Sequence, residues 1–284
     1  MKGMLRLRIF LSAILILLSP VLAQSFNPGT HIYIAEQVFP KCIDKIDLYY
    51  GSIAPDLVLY ANVGPQELES LFYYTHYRYI DLRSSAWSPA QMAFAKGWLT
   101  HNELRGADHF AHIAFDNNDG YVYIKADELK EMIDPLIKPF RIPWDPWGRE
   151  FAHDVVEVAI DLLLKQQDPK LGAKILEAAL LRSWEDRNLL TRVLVLRARA
   201  TDWVTLASAE ITFRNILVQY SIALSLSSPE YMQPLAELGK SLALEMYGIT
   251  LTDDQALALL KKAIEDCQGD YMEPIKDAIE ALSP

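Results

Sequence analysis

The chain has 284 residues, 51% hydrophobic and 23% charged, with a formal net charge of −10. That balance can bury a core and excludes wholesale disorder, and the length suits one large domain or two small ones. The acidity counts against a basic-patch nucleic-acid binder, because an acidic surface repels polyanions.

The first 23 residues read as a secretory leader, residues 1–23. Lys2, Arg6 and Arg8 make a basic start, Ile9 to Leu18 is an apolar run, and Val21-Leu22-Ala23 supplies small residues at a cleavage point. Gln24 is then the first mature residue, and the protein is secreted or periplasmic. Cleavage removes three cations and no acid, so the mature chain is more acidic still. An uncleaved N-terminal membrane anchor is the alternative, although the run is short against the roughly 20 residues of a spanning helix. Cys42 and Cys267 are the only cysteines. In an exported chain they form one disulfide or stay as two thiols.

Strand-like alternation is scarce, so the patterning predicts an all-α chain. The first helical segment carries Thr30-His31-Ile32-Tyr33-Ile34-Ala35-Glu36. Taken singly, His31 reads as a hydrogen-bonded core histidine as readily as a ligand. Gly51-Ser52-Ile53-Ala54-Pro55-Asp56 places a carboxylate after a proline, where an N-cap is the ordinary reading. Thr75-His76-Tyr77 sets an imidazole in an aromatic run that suits simple packing. Ser88-Pro89 with Gln91 marks the next helix start.

From Gly97 to His112 the sequence reads as one helix. Seven residues carry Asp108 to within about 20° of His101, and four more bring His112 to the other side by a similar angle. Trp98, Leu104, Phe110 and Ala111 make much of the remaining surface apolar, and polar groups on a buried helix need partners. That favours a metal-binding face of His101, Asp108 and His112. His109 and Glu103 fall off it and read as supporting or solvated groups.

The clearest break spans residues 116–148. Asp116-Asn117-Asn118-Asp119-Gly120 is a turn cluster, Asp134-Pro135 and Lys138-Pro139 interrupt helix, and Ile142 to Gly148 is an aromatic, proline-rich loop. The loop reads as a pocket wall or as surface packing of two tryptophans. Asp145-Pro146, Asp168-Pro169 and Ser228-Pro229 each set a cap residue before a proline. His153 and Glu157 stand at i and i+4, where two helical side chains can grip one ion. Asp161 continues the Glu157 face. Beyond 153 there is no histidine. Leu189–Ala207 and Ile211–Leu226 are the longest helical patterns, and Thr252 with Gln255 opens another. The expected division is a ligand-bearing helical domain over 24–168 and a C-terminal helical region over 169–284 packed on it.

Taken in order, these motifs resemble the zinc-dependent phospholipase C family, which is related to the fungal single-strand nucleases. The likeness covers about residues 29–165 and rests on Gly-Thr-His31, Pro-Asp56, Thr-His76-Tyr, Gly-Trp-Leu-Thr-His101 through Ala-Asp108-His-Phe-Ala-His112, and His153-Asp-Val-Val-Glu157. It implies an all-α fold with zinc ions in a cleft. On that pattern Asp56, His76, His101 and Asp108 hold one ion. Asp108 bridges to a second, held also by His31, and His112, His153 and Glu157 hold a third.

The resemblance further implies phosphodiester hydrolysis by metal-activated water, with Asp56 doubling as general base. Phospholipid is the expected substrate, with contact to a membrane surface and no stable nucleic-acid partner. Aromatic residues near His76 and in the Trp144–Trp147 loop would cradle a cationic headgroup. Two departures stand out. Relatives complete the His31-type site with the amino group of an N-terminal tryptophan, where this chain has Gln24, so two or three ions are expected. Relatives often separate the helical His and Asp by four residues rather than seven, which would keep the same helix face one turn further along. A single-strand nuclease-like phosphodiesterase and a non-catalytic zinc-binding relative are the alternatives.

Overall fold

The computed structural model describes residues 27–113, 119–227 and 229–283. The expected leader with Gln24, residues 116–118 of the turn cluster and the Ser228 cap lie outside the described residues. Among the described residues the chain is all-α, with extended pairing limited to one isolated bridge between Ile113 and Asp119. No helix among them is long and apolar enough to cross a membrane.

The ligand-bearing half opens with α1 (Pro28–Val38) and α2 (Lys45–Ile53), followed by a 3-10 segment, Ala54–Tyr60. Next come α3 (Pro65–Phe72), which runs into a π turn at Tyr73–Tyr77, then α4 (Pro89–His101) and α5 (Ala107–His112). Proline occupies the first turn of α1, α3 and α4, where its missing N–H costs nothing. Ser88 caps α4 by accepting from the Gln91 amide at 3.3 Å. The Gln91 carboxamide oxygen accepts from the Trp87 amide, so the box does not close on Ser88 itself.

The helix expected from Gly97 to His112 is in fact two. Asn102 ends α4: its side-chain oxygen accepts from the amides of Leu104 and Arg105 at 3.1 and 3.2 Å, and its NH2 donates to the Leu99 carbonyl. Those local bonds compete with helix continuation. Gly106 then packs against the end of α4, where a Cβ would stand 2.1 Å from the His101 carbonyl oxygen. The seven-residue gap is therefore spent on a turn and a second helix, not on an extra turn of one helix.

After α6 (Tyr121–Glu128) and α7 (Lys130–Ile137), a π turn at Trp144–Gly148 leads into α8 (Arg149–Gln167). Pro135 sits inside α7 instead of ending it, although Lys138-Pro139 does begin a separate 3-10 turn. The remaining helices are α9 (Leu171–Leu181), α10 (Trp184–Leu190, extended by a π turn to Arg197), α11 (Trp203–Ser225), α12 (Met232–Leu242, extended by a π turn to Tyr247), α13 (Asp253–Cys267) and α14 (Met272–Leu282). The Leu189–Ala207 pattern is broken between Ala198 and Asp202. The stretch around Ile211 belongs to the 23-residue α11, capped by Asp202. The helix after Asp168-Pro169 starts at Leu171 with Lys170 at the cap. Thr252 and Gln255 form a complete capping box on α13.

One apolar core runs from Ile32 to Ala278 and crosses residue 168 without interruption. Cys42 and Cys267 are free thiols. Cys42 packs on a small cluster of Ala35, Leu48 and Ala93, whereas Cys267 is buried in the main core, so the disulfide does not form.

The tightest helix crossing is α2 on α4, and it depends on two glycines. A Cβ on Gly51 would lie 2.1 Å from the Phe94 carbonyl oxygen, and one on Gly97 would lie 2.0 Å from that of Leu48. Backbone meets backbone there, so neither helix can retreat by a rotamer change. Gly97→Ala is expected to lower the free energy of unfolding by about 1–3 kcal/mol, the usual cost of overpacking, as read by urea denaturation.

Candidate metal centre

The α2–α4 contact sets the site's geometry. It brings the Ser52 carbonyl, near the end of α2, within 2.8 Å of His101 Nδ1 on the last residue of α4. A carbonyl only accepts, so Nδ1 carries the hydrogen and Nε2 points onward with its lone pair. The same device recurs. His112 Nδ1 donates to Glu103 Oε1 at 2.7 Å, and His153 Nδ1 donates to Asp154 Oδ1 at 3.3 Å. Thr75 Oγ1 gives its hydrogen to the Leu71 and Phe72 carbonyls, so it accepts from His76 Nδ1 at 2.7 Å. Partners that fix the tautomer and ring direction in this way characterise metal-ligating histidines.

The Nε2 atoms so directed converge. His101 and His76 approach to 3.1 Å, and His112 and His153 to 2.9 Å. Asp56 Oδ1 lies 3.3 Å from Nε2 of both His76 and His101. Asp108 spans two groups, with Oδ1 3.3 Å from His31 Nε2 and Oδ2 3.2 Å from His101 Nε2. Glu157 Oε1 is 3.0 Å from His153 Nε2 and 3.8 Å from His112 Nε2. Ligands at zinc's 2.0–2.1 Å around a tetrahedron stand about 3.3 Å apart, which matches these spacings.

The donors fall into three groups: His31, His101 and Asp108; Asp56, His76 and His101; and His112, His153 and Glu157. All eight sequence-predicted residues are thus brought together, with His101 shared between two groups. His109, expected off the face, turns its Nδ1 to the Glu103 carbonyl. Trp144, proposed for a headgroup cradle, already carries the Lys130 ammonium over its ring.

Burial and charge make this a site that could hold cations. Asp108 is fully buried, and neither of its oxygens accepts a hydrogen bond; Glu157 Oε1 is in the same position. Burial, reinforced by Glu103, Asp56 and Glu157, pushes the Asp108 carboxyl well above the usual carboxylate range. Burial likewise raises Asp56, but the His101 and His76 imidazoles outweigh it and hold that carboxyl low. Burial and neighbouring His101 keep His31 neutral. His112 and His153 go the other way. Burial lowers both, yet Glu103 lifts His112 to about 9, and Glu157 with Asp154 and Glu150 lifts His153 well above its ordinary value. Two Nε2 atoms 2.9 Å apart need a proton or a metal ion between them, and without metal the protein retains protons there.

Several supporting groups were not singled out in the sequence. Asp154 and Ser52 carry no spacing signal, whereas Thr75 beside His76 is one that was available. Glu103 was read as supporting or solvated, and it supports His112 from a buried position. Comparison with protein-family models, with curated proteins and with solved structures gives no match for this chain.

Dialysis against zinc at pH 8 is expected to load two or three ions per chain, because the one free lone pair of His101 can serve only one of its two groups. Uptake should release protons, since His112 titrates near 9 in the metal-free protein and must deprotonate to ligate. Affinity at that group should therefore weaken as pH falls. Glu103→Gln should cost it about 10–100-fold. Elemental analysis and zinc titration across pH check these outcomes.

Proposed function

We propose that the protein is an exported zinc-dependent phosphodiester hydrolase acting on phospholipid. The observation that carries this reading is the convergence of eight nitrogen and oxygen donors on three adjoining buried positions, with Asp108 spanning two of them. A histidine-rich nitrogen and oxygen set suits zinc better than magnesium or calcium, which take oxygen ligands. Bound zinc supplies Lewis acidity toward phosphoryl oxygens and lowers the pKa of water it binds.

The chain's own residues divide the remaining work. His31, His76, His101, His112, His153, Asp108 and Glu157 hold the cations and bury their charge. Asp56 does more. Its side chain is 13% exposed, against 0% for Asp108 and 3% for Glu157, so it is the site carboxylate that solvent reaches. Held low by two imidazoles, it is ionised at neutral pH and placed to take a proton from water. The acidic chain disfavours a nucleic-acid substrate.

His101→Ala and Asp108→Ala should each lose zinc and more than about 100-fold of activity on a soluble phosphodiester, a larger loss than removal of a supporting group brings. Asp56→Asn should lose comparable activity while keeping more of its zinc. Phosphodiester turnover and metal content, measured on the same preparations, test the reading. Undiminished turnover in both alanine variants would falsify it.

A further inference from the structure

Beside the candidate metal centre lies a cavity of about 150 Å³, lined by α8, α11, α12 and α13 together with the Ala54–Tyr60 segment. Its lining includes Asp56 and Glu157, which belong to two different donor groups, together with Asp154 and Tyr60. The body is walled by Phe213, Leu217, Leu235 and Leu260, all buried. On α12 the lining includes half-buried Leu242 and Met246 and exposed Gly239, so the cavity meets solvent there.

We infer that this cavity holds the single hydrocarbon tail of an amphiphilic phosphate ester whose head sits at the metal centre. The assignment of the head rests on the hydrolase reading; the tail site stands on its own lining. Protein interiors are close-packed, and a void as large as one that admits benzene is uncommon. A polar occupant would strand its hydrogen-bonding groups against leucine and phenylalanine.

Tyr220 and Tyr247 sharpen the contrast. Both line the cavity, yet their hydroxyls are spent on Asp161 and Asp154, so they offer it ring faces. With cations in the donor groups an anionic head would be held beside Asp56 and Glu157 while its apolar tail lies against the leucine and phenylalanine lining. The volume, equal to that of a benzene-sized void, admits one slender chain of about six carbons and not two side by side.

The test compares hexyl phosphate with methyl phosphate, by calorimetry on zinc-loaded and on EDTA-treated protein. Hexyl phosphate should bind at least about 100-fold tighter, since each buried methylene adds affinity. Part of that preference should survive EDTA. Ala236→Phe on α12 and Leu217→Trp on α11 fill the cavity from two separate helices, and each should bring the ratio towards one while zinc content shows that the variant has folded. Equal affinity of the two esters in the unmodified protein overturns the tail site, as does a ratio that persists in both variants. A length preference that vanishes in the variants, in a protein that hydrolyses no phosphodiester, keeps the tail site and removes the hydrolase reading.

Discussion

The structure turns on imidazole nitrogens held face to face. At His76, His101, His112 and His153 the Nδ1 hydrogen is committed to an oxygen, so each ring presents Nε2 inward. Two such nitrogens 2.9–3.1 Å apart repel unless positive charge lies between them. Asp108 and Glu157 beside them, buried and with oxygens that accept no hydrogen bond, would be offset by the same charge. Cations answer both demands at once, and the chain's net −10 makes their arrival favourable. Metal affinity and folding are then linked, because no unfolded chain presents this geometry.

What keeps the nitrogens in place is contact between main chains. Side chains can re-pack around a lost metal, but the Gly51 and Gly97 backbones have nowhere to go. The Ser52 carbonyl therefore stays within reach of His101 whether or not an ion is bound. The turn at Asn102 has a related role. It frees α5 to aim Asp108 and His112 independently of the α4 axis, so one short segment serves separate donor groups. A continuous helix would have stacked those three donors in a line.

The eight convergent donors were legible because histidines are few, six in the whole chain, and chemically distinctive, and because His153 and Glu157 need only helical geometry to meet. The all-α class was legible from periodicity. The turn between α4 and α5 was not, since apolar spacing runs on through it; Asn102 and Gly106 were the local signals, and helix periodicity masked them. The Gly51–Gly97 contact has no period at all. It is a property of two helices crossing, and a single sequence carries glycine without saying what it touches. The two free thiols illustrate the same limit, since spacing along a chain fixes no distance in space.

The C-terminal half gave no sign of its part, and here the structure is most informative. Tyr220, 59 residues from Asp161, donates to its Oδ2 at 2.9 Å. Asp161 in turn accepts from the Gly29 and Thr30 amides and the Thr30 hydroxyl, which fixes the start of α1 and so the approach of His31. Tyr247, 93 residues from Asp154, donates to Oδ2 of the carboxylate whose Oδ1 orients His153. Two phenols from distant helices thus reach both ends of the donor array through one intermediary carboxylate each. Removing the C-terminal helices would loosen His31 and His153 together, even though no C-terminal residue belongs to a donor group. The region after residue 168 is therefore part of the support of the candidate metal site, built in the outer layer that would hold ligands in place. Its apolar faces line the cavity together with α8, which carries His153 and Glu157, and so the cavity lies against the donor array.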